Sequence, residues 1–94
     1  MVEGLILKAL REIEQKYQGH IAFAYKDTYP DRWIIAFDDY DIYMSDKEEY
    51  KEICDRYREK AKKKYGVKLV FVFQFPSEQL LGELLEKDLI LNVE

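Results

Sequence analysis

From Ser45 to Phe75 the chain reads SDKEEYKEICDRYREKAKKKYGVKLVFVFQF, one long helix handing over to one strand. Ser45 and Glu48 stand in capping-box spacing, in which the Ser at the N-cap and the Glu three residues on each satisfy an orphan backbone N–H. Tyr50, Ile53, Cys54, Tyr57, Ala61 and Tyr65 then recur at three- and four-residue steps and form a single apolar stripe. Gly66 can adopt a positive φ and ends the helix. Val67 to Phe75 is apolar at nearly every position, the pattern of a strand covered on both faces, so a central place in a sheet is expected for it.

Upstream, Ile6, Ala9, Leu10, Ile13 and Tyr17 define an amphipathic helix over Leu5 to Tyr17, stopped by Gly19. His20 to Lys26 alternates Ile21, Phe23 and Tyr25 with smaller or polar neighbours and reads as a strand. Asp27 to Asp31 is a turn, in which Pro30 cannot donate a ladder hydrogen bond. Arg32 to Phe37 is a second strand. After it, Asp38-Asp39 makes either a tight turn into a third strand, Tyr40 to Met44, or part of one bulged strand from Arg32 to Met44. Adjacent aspartates favour the turn. Downstream, Pro76-Ser77 opens a helix to Glu86 that buries Leu80, Leu81, Leu84 and Leu85, and Asp88 to Val93 is expected as an edge strand.

The order α-β-β-(β)-α-β-α-(β) describes a single small α+β domain over residues 1–94, with no repeat or linker. It resembles a ferredoxin-like plait lacking its first strand, which implies an antiparallel sheet with helices packed on it. On that reading His20, Ala22, Ala24, Ile34 and Ala36 share a small apolar strand face. The last helix or a second copy of the chain must cover it, and a homodimer is expected.

Composition excludes several function classes. With 48% hydrophobic and 15% aromatic residues the chain has enough apolar surface to fold. A formal net charge of −4 argues against nucleic acid as a partner. The first residues lack the basic and long apolar regions of a signal peptide, and the apolar run Leu69 to Phe73 is too short for a bilayer. Cys54 is the only cysteine, so a reducing, cytoplasmic setting is expected.

The charges are segregated. Asp27, Asp31, Asp38, Asp39, Asp41, Asp46, Glu48 and Glu49 face only Arg32 and Lys47 between residues 27 and 49. Arg56, Arg58, Lys60, Lys62, Lys63, Lys64 and Lys68 face only Glu59 between residues 56 and 68. Asp38, Asp39 and Asp41, with Asp46 or Glu48, are the candidate metal ligands. However, strand alternation points Asp38 away from the other two, and no His pair or glycine-containing calcium loop supports them. His20 lies where a helix meets a strand, a place to cap carbonyls rather than act as a base. Cys54 sits on the apolar stripe as a small core side chain. The lysines at the end of the long helix complement its dipole.

No catalytic residue, metal site or cofactor is therefore expected. The function that remains is a non-enzymatic protein-interaction domain, inhibitor-, immunity- or antitoxin-like in composition. Its acidic-aromatic surface of Tyr29, Asp31, Trp33, Asp39, Asp41 and Tyr43 would bind a basic protein partner. The alternatives are a metal-dependent phosphodiester-cleaving enzyme using the clustered aspartates and a nucleic-acid binder using the lysine-rich helix end.

Overall fold

The computed structural model describes residues 1–18, 20, 22–27, 29, 31–44, 48–73, 77–86 and 90–92. The elements run α1 (Val2–Lys16), β1 (Ala22–Lys26), β2 (Arg32–Phe37), α2 (Tyr40–Tyr43), α3 (Glu48–Tyr65), β3 (Lys68–Phe73), α4 (Glu78–Glu86) and β4 (Ile90–Asn92). This is the α+β order expected, including the terminal edge strand, except that a short helix follows β2. Ser45, which the capping box needs, and Gly19, the expected stop of α1, lie outside the described residues. Gly66 ends α3 as its position requires: its φ is 67° and its N–H donates to the Lys62 carbonyl at 3.1 Å.

The four strands are ordered β3-β2-β1-β4. β1 pairs antiparallel with both β2 and β4, while β2 and β3 run parallel. The sheet is thus mixed, not the antiparallel sheet of a plait, because α3 returns the chain to the start of β2 before β3 begins. For the same reason β3 lies at one edge, and β2 and β1 take the central places. The apolar residues on both faces of β3 reflect a sheet whose two faces are both apolar, not a central position.

One face of the sheet is covered by α1 and α3. Ala22 and Ala24 of β1, Trp33, Ile35 and Phe37 of β2, and Leu69 and Phe71 of β3 meet Ile6, Ala9, Leu10, Ile13, Tyr50, Ile53, Cys54, Tyr57 and Ala61 there. Register corrects the expected strand face. Ala22 pairs with Phe37 and Ala24 with Ile35, whereas Phe23 pairs with Ala36 and Tyr25 with Ile34. Ala22 and Ala24 therefore sit under the helices, and Ile34 and Ala36 share the opposite face with Phe23, Tyr25, Val70 and Val72. A shift of one residue exchanges the two faces of a strand. The patch on which self-association rested is divided between them.

The segment after β2 also departs from expectation. Neither a hairpin nor a bulged strand forms; Tyr40 to Tyr43 is a short helix. Tyr40 sets its ring edge-on to Phe73, centroids 5.2 Å apart, which ties α2 to the end of β3.

Candidate functional site

α3 runs from the end of β2 back to its beginning, so its two termini mark the two ends of the molecule. At the end reached by Phe37, the chain presents Asp38 and Asp39 and then α2. The His20 ring lies against both aspartates, with Nε2 3.0 Å from Asp39 Oδ2 and Nδ1 3.5 Å from Asp38 Oδ1. The same ring packs edge-on against Phe37, centroids 5.8 Å apart. A singly protonated imidazole donates to one of these carboxylates, and a doubly protonated one donates to both. His20 thus bridges the two aspartates rather than capping a helix through its ring. The hairpin register foretells it: continued two residues beyond Ala22 and Phe37, it sets His20 opposite Asp39.

Asp41 lies in α2 and is exposed. Tyr40 and Met44 beside it are 54% and 58% exposed, large apolar side chains left in solvent among carboxylates. The Tyr43 side chain lies outside the described residues. Beneath this end lies an aromatic floor. Phe37 stacks on Tyr50 with centroids 5.7 Å apart, and Tyr17 meets Phe37 at 5.8 Å and Tyr50 at 5.9 Å.

The rest of the expected surface is elsewhere. Trp33 is only 7% exposed and belongs to the core under α1 and α3, because alternation along β2 turns it inward with Ile35 and Phe37. Tyr29 and Asp31 sit at the opposite end of β2, about 20 Å from Asp39 given the rise of a six-residue strand. Tyr29 is exposed and carries the Arg32 guanidinium 4.6 Å from its ring centre, while Arg32 also pairs with Asp27. Asp31 has φ 62°. Its carbonyl accepts the Lys68 N–H at 2.8 Å, joining the β1–β2 connection to the start of β3. Asp tolerates the left-handed region better than most residues, so its place is explained by backbone geometry.

Among the described residues, no group of three or more His, Cys, Asp or Glu side chains is arranged to hold a metal ion. Asp38 and Asp39 converge on His20, and Asp41 stands apart on α2. Cys54 is buried, and burial pushes its thiol up to about 11, which leaves it protonated and unreactive at neutral pH.

The middle of the α1–α3 contact is held by a polar clamp. Arg56 donates to Glu12 Oε1 at 2.6 Å and to Oε2 at 3.1 Å, and its Nε donates to Glu52 at 2.9 Å. The Tyr57 hydroxyl donates to Glu12 Oε2 at 2.6 Å. The Arg56 and Tyr57 hydrogen bonds hold the Glu12 carboxyl below its ordinary value, whereas burial, then the bond to Glu12, pushes Tyr57 up to about 12.

At the far end, α1 and the last turns of α3 enclose a cleft of about 630 Å³ lined by Lys8, Lys60, Lys63, Lys64 and Tyr65 together with Met1, Gly4 and Leu5. Arg58, Lys62 and Lys68 line a second, smaller hollow on the other side of α3. The sequence shows the lysines of α3 but not Lys8 beside them. No helix among the described residues is long and apolar enough to cross a membrane. No protein-family model, curated protein or solved structure matches the chain.

Proposed function

We propose that the domain is a non-enzymatic interaction module that binds a basic protein partner through the knob made by α2 and its approach, residues 38 to 44. The observation that carries this reading is the exposure of Tyr40 and Met44, at the two ends of a helix anchored to Phe73 and beside Asp38, Asp39 and Asp41. Tyr offers a large, rigid contact face at low entropic cost and is enriched at binding hot spots. The surrounding carboxylates steer a cationic partner and make its approach salt-dependent. The aromatic floor of Phe37, Tyr17 and Tyr50 supports rigid presentation of the knob. Tyr29 and Asp31 are left out of this surface because a strand's length separates them from it. The clustered-aspartate reading, a metal-dependent phosphodiesterase, gains nothing from the geometry: two of its three aspartates engage His20.

The test uses a fluorescent decapeptide rich in lysine and arginine as the probe, with anisotropy and amide chemical shifts as readouts. Binding at low salt is expected to move the resonances of residues 38 to 44. The double substitution Tyr40→Ala, Asp41→Asn is expected to weaken it about tenfold with little change in melting temperature. Equal binding by the double variant, or shifts confined to other parts of the chain, would end the reading.

A further inference from the structure

α1 and α3 are antiparallel, and their contact is a ladder of charge. On the first rung Lys16 meets Glu49 at 3.6 Å; on the second Glu12 meets Arg56 at 2.6 Å. Both rungs join opposite charges. One helical turn further, the same register brings Lys8 level with Lys60, and Lys63 and Lys64 complete the lining of the cleft there. The complementarity stops at this rung. Lys63 reaches Glu59 at 2.7 Å, but among the described residues Lys8, Lys60 and Lys64 form no ion pair. The Lys60 and Lys64 ammonium groups instead lie over the rings of Tyr57 and Tyr65, at 5.7 Å and 5.6 Å.

The helix dipole does not account for this. The C-terminus of a helix carries roughly half a negative charge, and Lys62 and Lys63 alone exceed that. Lys8 belongs to another helix and takes no part in offsetting it. Lys8, Lys60 and Lys64, brought to one concave site beside the Glu59-paired Lys63, repel one another, and the arrangement is relieved by an anion between them.

We propose that this cleft binds a small anion carrying two or more linked phosphate groups. Its volume, about 630 Å³, lies within the range of roughly 300–1,000 Å³ typical of small-molecule sites. Lysines from both walls can reach separate phosphates, which a single phosphate would not exploit. Tyr65, half-buried at the edge, adds an aromatic face beside them. The net charge of −4 and the carboxylates at the other end disfavour a long polyanion laid along the surface. The site is separate from the α2 knob, so failure of either proposal leaves the other standing.

Isothermal titration with inorganic tripolyphosphate tests it on the full chain, with orthophosphate and a single-stranded oligonucleotide as the comparison probes. Tripolyphosphate is expected to bind, at least tenfold more tightly than orthophosphate. Lys8→Glu and Lys60→Glu are each expected to weaken it by tenfold or more, and Lys62→Glu, on the other side of α3, by no more than about twofold. Circular dichroism checks that each variant stays folded, and Lys8→Gln is expected to give a smaller loss than Lys8→Glu. No binding at millimolar tripolyphosphate would overturn the proposal, as would orthophosphate binding equally well. An equal loss in Lys62→Glu would mean a diffuse basic field rather than a site. Much tighter oligonucleotide binding that is weakened by Lys62→Glu would assign the surface to nucleic acid instead.

Discussion

The two ends of α3 carry opposite charge, and they are built differently. The acidic end rests on the core. Phe37, fully buried, lies under His20, against Tyr17 and Tyr50, and immediately before Asp38. The basic end rests on the surfaces of two helices, with Leu5 half-buried and lysines forming the walls. Charge placed on a rigid aromatic floor presents a convex knob, which suits a macromolecular partner. Charge placed around a gap between helices makes a concave site, which suits a small ligand. A run of like charges in sequence does not distinguish these cases; the elements beneath it do.

Removing the floor should separate the two ends most sharply. Phe37→Ala is expected to cost ~3–5 kcal/mol, since it deletes a fully buried ring that three other rings touch. That is a large part of the stability of a domain this size. Leu5→Ala at the basic cleft, where the side chain is only half-buried, should cost about 1 kcal/mol. Urea melts of the two variants compare them directly. A similar loss in both would mean that the ends are equally founded on the core.

The acids between residues 27 and 41 do not share one surface. Asp31 is at the basic end, in a left-handed conformation. If its role is conformational, Asp31→Gly should keep or raise stability, whereas Asp31→Val should lose ~1–2 kcal/mol by forcing a branched side chain into that region. Thermal melts read both. A loss in Asp31→Gly equal to that in Asp31→Val would show that the carboxylate itself matters and would restore Asp31 as a functional candidate.

Between the ends, the Glu12–Arg56–Tyr57 clamp is expected to contribute about 1 kcal/mol, the scale for a partly exposed, multiply bonded ion pair. The folded-state value of Glu12 is lowered, so this stability is present above the ordinary carboxylate value and is lost as pH falls through the folded one. Glu12→Gln should therefore melt below the parent at pH 7, and the gap should narrow as the solution is taken below pH 4. A gap that stays constant with pH would mean that the carboxylate charge contributes nothing.

Long elements with a clear period were legible in the sequence, and short or two-sided ones were not. The stripe from Tyr50 to Tyr65 spans enough turns to show a helical period, and Gly66 closes it. Tyr40-Asp41-Ile42-Tyr43 is a single turn, and its Tyr and Ile residues, of types common in strands, imitate one. The contact of Tyr40 with Phe73, far along the chain, accompanies the helix that forms instead. Ala22-Phe23-Ala24-Tyr25 alternates small with large, but both faces of the sheet are apolar, so the pattern does not say which side meets the helices. Only pairing with β2 does. The sites were hidden for the same reason. His20 is eighteen residues from Asp38, and Lys8 is fifty-two from Lys60; each pair meets only once the hairpin or the helix pair is in register.

The smallest expected effect is also a test of the floor. Tyr17 packs its ring against Phe37 and Tyr50, yet its hydroxyl is buried and accepts or donates no hydrogen bond among the described residues. Burial raises its ionisation above the usual value, so the group is a neutral phenol at neutral pH. A buried hydroxyl without a partner costs free energy, and a ring of the same shape without it does not. Tyr17→Phe keeps both ring contacts and removes the unpaired group. Its melting temperature should equal or slightly exceed that of the parent, a change within about 0.5 kcal/mol. A fall of several degrees would show that the hydroxyl is bonded in solution. The acidic end would then be held by polar bonds like those of the Glu12 clamp, and the contrast between an aromatic floor and a polar tie would no longer separate the two regions.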